Sequence, residues 1–482
     1  SRGLGDVYKR QDVGRQSSVV AYGYTKLGEP KPDEKSDHFV GKIYTITYCL
    51  VELNRLRREL ERAKTVSSSD EVAKITKQVD EWLSIAAELE EKFPVLFGKL
   101  LAKIGAEENP EEEINRLNRA YEDGQPEAKR LVRAVSELCL NGFRETQGRV
   151  EIRYDSWDWE SDFVWSNQVS EVLQKLKASP FVYSEGGVLE FDAEKVVRVF
   201  DLKVKLGLRV DYEVPPLTLV RADGTTLYTT RDVAYTLWKF GRAERVVNVI
   251  GMEQSLAQLQ LKIALYALGF GNYADNFVHF AYNLVTLPGY KMSSRRGRYI
   301  TFDEVLNEAV ERAYEEVSKR SPILSEEEKR GIADFVGLGA VRYALVDVDP
   351  SKPVVFTWDR VLNFETNSAP YVQYTHARAC SILRKAAREP ENADFALLKE
   401  KLERELVLSL ASFPDAFVEA TDYLKPNLIS GFANALADKF NTFYNALPVI
   451  KAESAELSDA RIALTDSIRI VMRNALTLIG VV

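Results

Sequence analysis

Three kinds of residue are scarce in this 482-residue chain, and each scarcity closes off a class of function. The three cysteines, Cys49, Cys139 and Cys380, lie far apart without C-x-x-C spacing. That excludes a disulfide framework or a thiolate zinc site and fits a reducing cytosol. The three histidines, His38, His279 and His376, are equally scattered, so no His-rich metal site is expected. No apolar run reaches the roughly 18 residues of a membrane span. No apolar core of a signal peptide marks the first residues. Positive charge is not in excess either: 64 Lys and Arg against 72 Asp and Glu leave a net charge of −8. Any contact with nucleic acid must therefore be local.

What is present is ordinary globular material, 45% hydrophobic and 28% charged, enough for two or three domains. The first stretch, "SRGLGDVYKRQ" (1–11), has no hydrophobic period, resembles a translated sequencing adapter and is expected to form no element. The last, "RNALTLIGVV", stops inside an apolar run. Both ends read as those of a fragment.

Between them, residues 50–64 and 71–93 each carry one apolar stripe (Leu53, Leu56, Leu60, Ala63; Val72, Ile75, Val79, Trp82, Ala86, Leu89). With the turn "TVSSSD" between them, capped at its end, they predict an antiparallel helical hairpin. Further helices are expected from about 110 and over 126–142, with mixed charges suited to solvated faces. Next come three tryptophans among acids in "YDSWDWESDFVWS", a helix "QVSEVLQKLKAS" and a hairpin "FVYSEGGVLEF". Around the D-G turn of "LTLVRADGTTLYTT" two short strands are expected. "RDVAYTLWKFG" reads as a helix ending at Gly241, "ERVVNVIG" as a buried strand, "SLAQLQLKIALYALG" as a helix and "NFVHFAYNLV" as a strand. Strand, helix, strand in this order predicts a doubly wound sheet. Residues 302–482 read as helical almost throughout.

One loop concentrates charge. "PGYKMSSRRGRYITFDEV" (288–305) sets Lys291, Arg295, Arg296 and Arg298 around Ser293, Ser294 and Gly297. Thr301 and Glu304 then form the signature of a capped helix start. The loop follows the last strand, on the side where such sheets bind ligands. A compact ammonium and nearby hydroxyls suit a polyphosphate; the alternative is a solvated surface loop. In "LYTTRD", Tyr228 and Asp232 are four residues apart and would share a pocket if the strand turns into a helix there. A carboxylate accepts two parallel bonds from a guanidinium, and a ring can flank its plane. Alternatively Asp232 caps the helix and Tyr228 packs. "VIGMEQSLAQLQ" begins where a strand ends and a helix starts, with backbone donors facing the site. In "SAPYVQYTHARACSILRKA", the residues Tyr371, Tyr374, His376 and Arg378 interleave rings and cations, as stacking on splayed RNA bases requires. A buried aromatic stripe is the competing reading.

"KMSSRRG" is similar to the KMSKS loop of class I aminoacyl-tRNA synthetases, in the form used by arginyl-tRNA synthetases. "DVGRQ" (12–16), "DGTTLYTTRDVAY" (223–235), "FVGLGAVRYALVDVDPSK" (335–352) and "NSAPYVQYTHARACSILRKA" (367–386) resemble the same family in the same order. The resemblance implies an α/β plus all-α architecture. It has a partial doubly wound, Rossmann-like catalytic domain (12–49 and 200–325) with a helical insertion (50–199), then a helical-bundle anticodon-binding domain (326–482). It implies catalytic Lys291, Ser293, Ser294 and Arg296, with Arg295 or Arg296 where the generic pattern has its last lysine. ATP binding falls to Gly251, Met252, Lys291 and Met292, and arginine binding to Tyr228, Asp232 and Gln254, with Gln260 on the same helix face and Arg231 anchoring the loop. Tyr371, Tyr374, His376 and Arg378 would face tRNA. Ala257 stands where the family often has a histidine. The substrates implied are L-arginine, ATP with Mg²⁺ and tRNA(Arg). No prosthetic group, protein-bound metal or membrane is expected, and the protein would act as a cytoplasmic monomer. No HIGH-type motif is present, so this chain is expected to be a truncated form without activity. Two other readings compete. A related nucleotidyltransferase gives no reason for 335–482, and a non-catalytic RNA-binding paralogue would use the 50–150 helices as a partner surface. An H-x-G-H upstream of "DVGRQ" would favour the enzyme.

Overall fold

The computed structural model describes residues 5–66, 68–222, 228–289, 300–388 and 393–481. Strand β1 (Val7–Arg10) forms where no element is expected. It pairs in parallel with β2 (Ser156–Trp159), and Tyr8 packs against Tyr154 and Trp157, which gives so short a strand a surface to bury.

A helical layer lies between these two strands in sequence: α1 (Arg15–Lys26), α2 (Ser36–Val66), α3 (Ser69–Lys92), α4 (Pro94–Ile104), α5 (Pro110–Glu122) and α6 (Pro126–Arg149). α2 and α3 make the expected hairpin, but Ser68 caps α3 by accepting from the Glu71 amide. α4 has no counterpart among the expected helices. Its Pro94 looks like a breaker, yet at the first helical position the missing N–H costs nothing. Phe97, Leu100 and Ile104 bury α4 against Leu50, Leu53 and Leu89.

The mixed region follows β2 with α7 (Glu160–Trp165), α8 (Gln168–Lys177), β3 (Val182–Glu185), β4 (Val188–Phe191) and α9 (Ala193–Val199). β3 and β4 form the expected hairpin, turning on Gly186 and Gly187 at φ 57° and 81°. β5 (Leu217–Val220) pairs with β4. Of the second strand expected there, the described part is helical: Tyr228 opens α10 (Tyr228–Phe240). Burial favours this, because Thr229 and Thr230 are buried together with Val233, four and three residues further on, as one face of a helix requires. Then come β6 (Val246–Gly251), α11 (Ser255–Ala267), α12 (Gly271–Asp275) and β7 (Phe277–Tyr282), with β6 and β7 parallel as the βαβ pattern predicts. β6 is buried on one face only, since Val247 and Val249 stay 39% and 64% exposed. β8 (Val285–Thr286) pairs with β9 (Val354–Val355).

The remainder is helical: α13 (Phe302–Arg320), α14 (Glu326–Val346), α15 (Trp358–Val361), α16 (Ala369–Ala386), α17 (Lys401–Ala411), α18 (Phe413–Asp422), α19 (Asn427–Ala446) and α20 (Ala455–Leu478). The T-x-x-E reading holds: Thr301 and Glu304 make a reciprocal capping box at α13. α16 to α20 enclose one apolar core, spanned by the buried pair Arg461–Glu403 at 2.7 Å. No helix among the described residues is long and apolar enough to cross a membrane.

α13 and α14 cross closely at Gly337, where an added Cβ would stand 2.8 Å from the backbone of Val310. Gly337→Ala is therefore expected to destabilise by about 1–3 kcal/mol through overpacking, although alanine is the better helix former. A denaturant midpoint equal to or above that of the parent chain would contradict this.

Candidate functional site

α10 leads through a short connection into β6, so the start of the helix and the end of the strand lie at the same end of the layer. A polar chain fixes their register: Lys239 of α10 donates to Asn248 of β6, which donates to Gln258 of α11 at 2.8 Å. Going back from Lys239 to Asp232 covers roughly 10 Å of helix. Going on from Asn248 to Gly251 covers about 10 Å of strand. Asp232 therefore stands level with the turn Met252–Gln254, a 3-10 turn that starts from Gly251.

Asp232 is no helix cap. α10 begins at Tyr228, which puts Asp232 in the second turn, where it is only 9% exposed. Its carboxylate accepts from the Lys9 ammonium, which also lies 2.8 Å from Glu160. Arg231 is buried beside them, its Nε 3.3 Å from Glu160. Two buried carboxylates from α7 and α10 thus hold Lys9 between them, and Glu160 also faces Arg231. Burial opposes the charge on Lys9, but Asp232 and Glu160 outweigh it and hold the ammonium above its ordinary range. Deeper in, burial pushes Lys239 down to about 8, with its ammonium 4.8 Å from the Tyr235 ring. Tyr235 donates to Asp158 at 2.7 Å. Sequence reasoning does not find Glu160, Lys239 and Tyr235, although the acids among the tryptophans of "DSWDWES" are a signal.

The other expected residues divide. Gly251 and Met252 sit at the end of β6, and Gln254 is partly buried in the turn after it. Ala257 is buried in α11. Gln260 does not line the site: its amide donates to the carbonyls of Pro215 and Pro216. Tyr228 is the first residue of α10, and its side chain is not among those described. Lys291, Met292, Ser293, Ser294, Arg295, Arg296 and Arg298 lie outside the described residues.

A second cluster occupies α16 and α19. The Tyr371 hydroxyl donates to Asp438 at 2.7 Å and accepts from Asn441, which ties this ring to the bundle. Tyr374 is 54% exposed. Arg378 bonds Asn441 and lies between the Tyr374 and Tyr444 rings, 4.9 Å from each. Tyr444, 42% exposed, belongs to "DKFNTFYNALPVI" (438–450), which also resembles a helix of the anticodon-binding domain, but α17 and α18 separate it in the chain from Arg378, so sequence alone does not pair them. His376 is half-buried, and burial with the charges of Arg469 and Arg473 holds its imidazole below the ordinary range.

Comparison with known proteins fits this geometry. A family model described as tRNA synthetases class I (R), catalytic domain, matches residues 71–358. A second, the DALR anticodon binding domain, matches residues 372–482. The arginine–tRNA ligase of Ignicoccus hospitalis is 43% identical over 478 residues, covering 98% of this chain and 72% of that protein. That of Pyrobaculum islandicum is 41% identical over 480 residues, covering 98% and 74%. Among solved structures, Thermus thermophilus arginyl-tRNA synthetase superposes with a TM-score of 0.73 at 28% identity, over 98% of this chain and 74% of that one. With a class I catalytic match, an anticodon-binding match and relatives of this identity and coverage, the chain belongs to the arginyl-tRNA synthetase family of class I aminoacyl-tRNA synthetases.

Proposed function

We infer that this chain is an arginine–tRNA ligase. An arginine carboxylate oxygen attacks the α-phosphorus of ATP, taken as its magnesium complex, and the bond to pyrophosphate breaks. A ribose hydroxyl of the terminal nucleotide of tRNA(Arg) then attacks the acyl carbon, and AMP leaves. The observation that carries the choice of amino acid is the pair of buried carboxylates, Asp232 and Glu160, converging on one cation. A guanidinium brings the same charge in a planar fork. Tyr228, Asp232 and Gln254 hold the arginine. The Gly251–Met252 turn and Met292 receive ATP. Lys291, Ser293, Ser294 and Arg296 stabilise the charge that develops on the phosphates, with Arg298 outside that role. The protein acts as a monomer in the cytoplasm; light scattering and fractionation test those two points. The activity is tested by pyrophosphate exchange in the presence of tRNA, with a protein that carries a HIGH-type turn ahead of "DVGRQ"; that exchange should depend on arginine. Exchange that responds equally to lysine would overturn the assignment.

In the bundle, Tyr374 and Tyr444 are the rings free to stack on anticodon bases, with Arg378 held between them and His376 beside them, while Tyr371 is scaffold. Tyr374→Ala should weaken tRNA binding by about 1–3 kcal/mol, the value of one base–ring stack. Amino-acid activation should stay unchanged. Equal effects of Tyr374→Ala and Tyr371→Phe on tRNA affinity would return both rings to the scaffold.

A further inference from the structure

Three helix ends meet beside Thr301: the N-termini of α2 and α13 and the C-terminus of α6. Asp303, in the first turn of α13 and only 7% exposed, lies at the centre. Lys35, just before α2, lies 2.8 Å from its carboxylate, and Thr146 of α6 donates to it at 2.8 Å. Arg149, the last residue of α6, donates to its other oxygen at 3.0 Å and to Asn307 at 2.7 Å. His38 stands 3.4 Å away. Lys35 also bonds Asp37 at 2.8 Å and Thr146 at 2.8 Å. The contact is close: a Cβ on Gly142 of α6 would fall 2.1 Å from Asp37.

Electrostatics explains how the ends can meet. Two positive helix ends facing each other repel, and a carboxylate in the first turn of each, Asp37 and Asp303, offsets this. Burial works against the charge on Asp303, but the bonds from Lys35 and Thr146 outweigh it and hold the carboxyl below its ordinary range.

Starting a helix does not require this network. α14 starts from its own capping box at Ser325, and α13 already has one. What the extra donors add is position: they fix the start of α13 against α2 and against α6. In sequence, α13 closely follows the cationic stretch 291–298, which lies outside the described residues.

We propose that Asp303 is a positioning residue for arginine activation: clasped by Lys35, Thr146 and Arg149, it sets where α13 begins and so where the cationic loop is anchored at its C-terminal end. This gives α6 a part in the chemistry without contact with substrate. It rests on the proposed role of the loop in holding ATP. A misplacement of 1 Å at a reacting centre can cost about 10²-fold in rate.

The test measures single-turnover arginyl-adenylate formation, the KM values for arginine and ATP, and the thermal midpoint of the enzyme. Asp303→Asn, Lys35→Met and Arg149→Met should each slow adenylate formation, by about 10- to 100-fold for Asp303→Asn. The arginine KM should stay within about threefold and the rate loss should persist in fully folded protein, while Lys35→Arg, which keeps the charge, should restore most of the rate. If Asp303→Asn fails to fold, the Lys35 and Arg149 variants decide. Rates that track only the folded fraction, or an arginine KM that moves as far as the rate, would overturn the proposal. Lys291→Ala is measured in parallel. If it slows activation while the Asp303, Lys35 and Arg149 variants do not, this inference alone falls. If Lys291→Ala has no effect, the loop reading falls and takes this one with it.

Discussion

Lys291→Ala should lower the rate of arginyl-adenylate formation by about 10²–10³, the scale for removing one preorganised charge donor from a transition state. The KM for ATP should move much less. As the α-phosphorus is attacked and pyrophosphate departs, negative charge gathers on oxygens that a cation beside the leaving group stabilises more than it stabilises bound ATP. Only that difference accelerates the step. Arg296→Ala should act in the same direction and more mildly if Arg296 stands in for the last lysine of the generic pattern, and Arg298→Ala should do little. An ordinary surface loop would absorb all three substitutions within about 0.5 kcal/mol. Pre-steady-state adenylate formation separates the cases, and a Lys291→Ala enzyme working at the parental rate would end the claim that this loop holds phosphate.

Asp232→Asn should raise the KM for arginine far more than the KM for ATP. The substitution keeps the size of the side chain and removes the charge that, on the proposed reading, would face a bound guanidinium. Losing one partner of a desolvated charge pair costs about 2–5 kcal/mol. Glu160 stands beside Asp232 across Lys9 and would still offer a carboxylate, so binding should be weakened and not abolished. Equal losses for both substrates, or an arginine KM within about threefold of the parent, would reduce Asp232 to a structural partner of Lys9. Glu160→Gln offers a second view of the same pocket, because it removes the other carboxylate from a different helix.

Elements with a strong apolar period are legible in the amino-acid sequence. α3, α11 between β6 and β7, and α16 all stand close to where the sequence puts them, whereas α2 begins at Ser36, well before the expected start at 50. Thr301 and Glu304 announce the start of α13 because a capping box is a local arrangement of four residues. α4 is not legible in this way, because Pro94 reads as a break when it is a helix start. The described part of the strand expected around "LYTT" gives way because Thr229 to Thr236 are all buried in the first turns of α10, and burial against a distant core overrides local β-propensity. That change matters for the site, since it moves Asp232 from a cap to the interior of a helix.

The sequence alone determined the family, the order of its signature stretches and the residue types that arginine, phosphate and RNA call for. These follow from motif spacing within a few residues of each other. Only the tertiary structure decided which residues share a site. Glu160 and Asp232 meet at Lys9, Tyr444 meets Arg378 and Lys35 meets Asp303 across separations in the chain that no local pattern encodes. The physical reason is that a buried charge must find a partner wherever the fold places one. The partner is chosen by which helix ends and faces the core brings together.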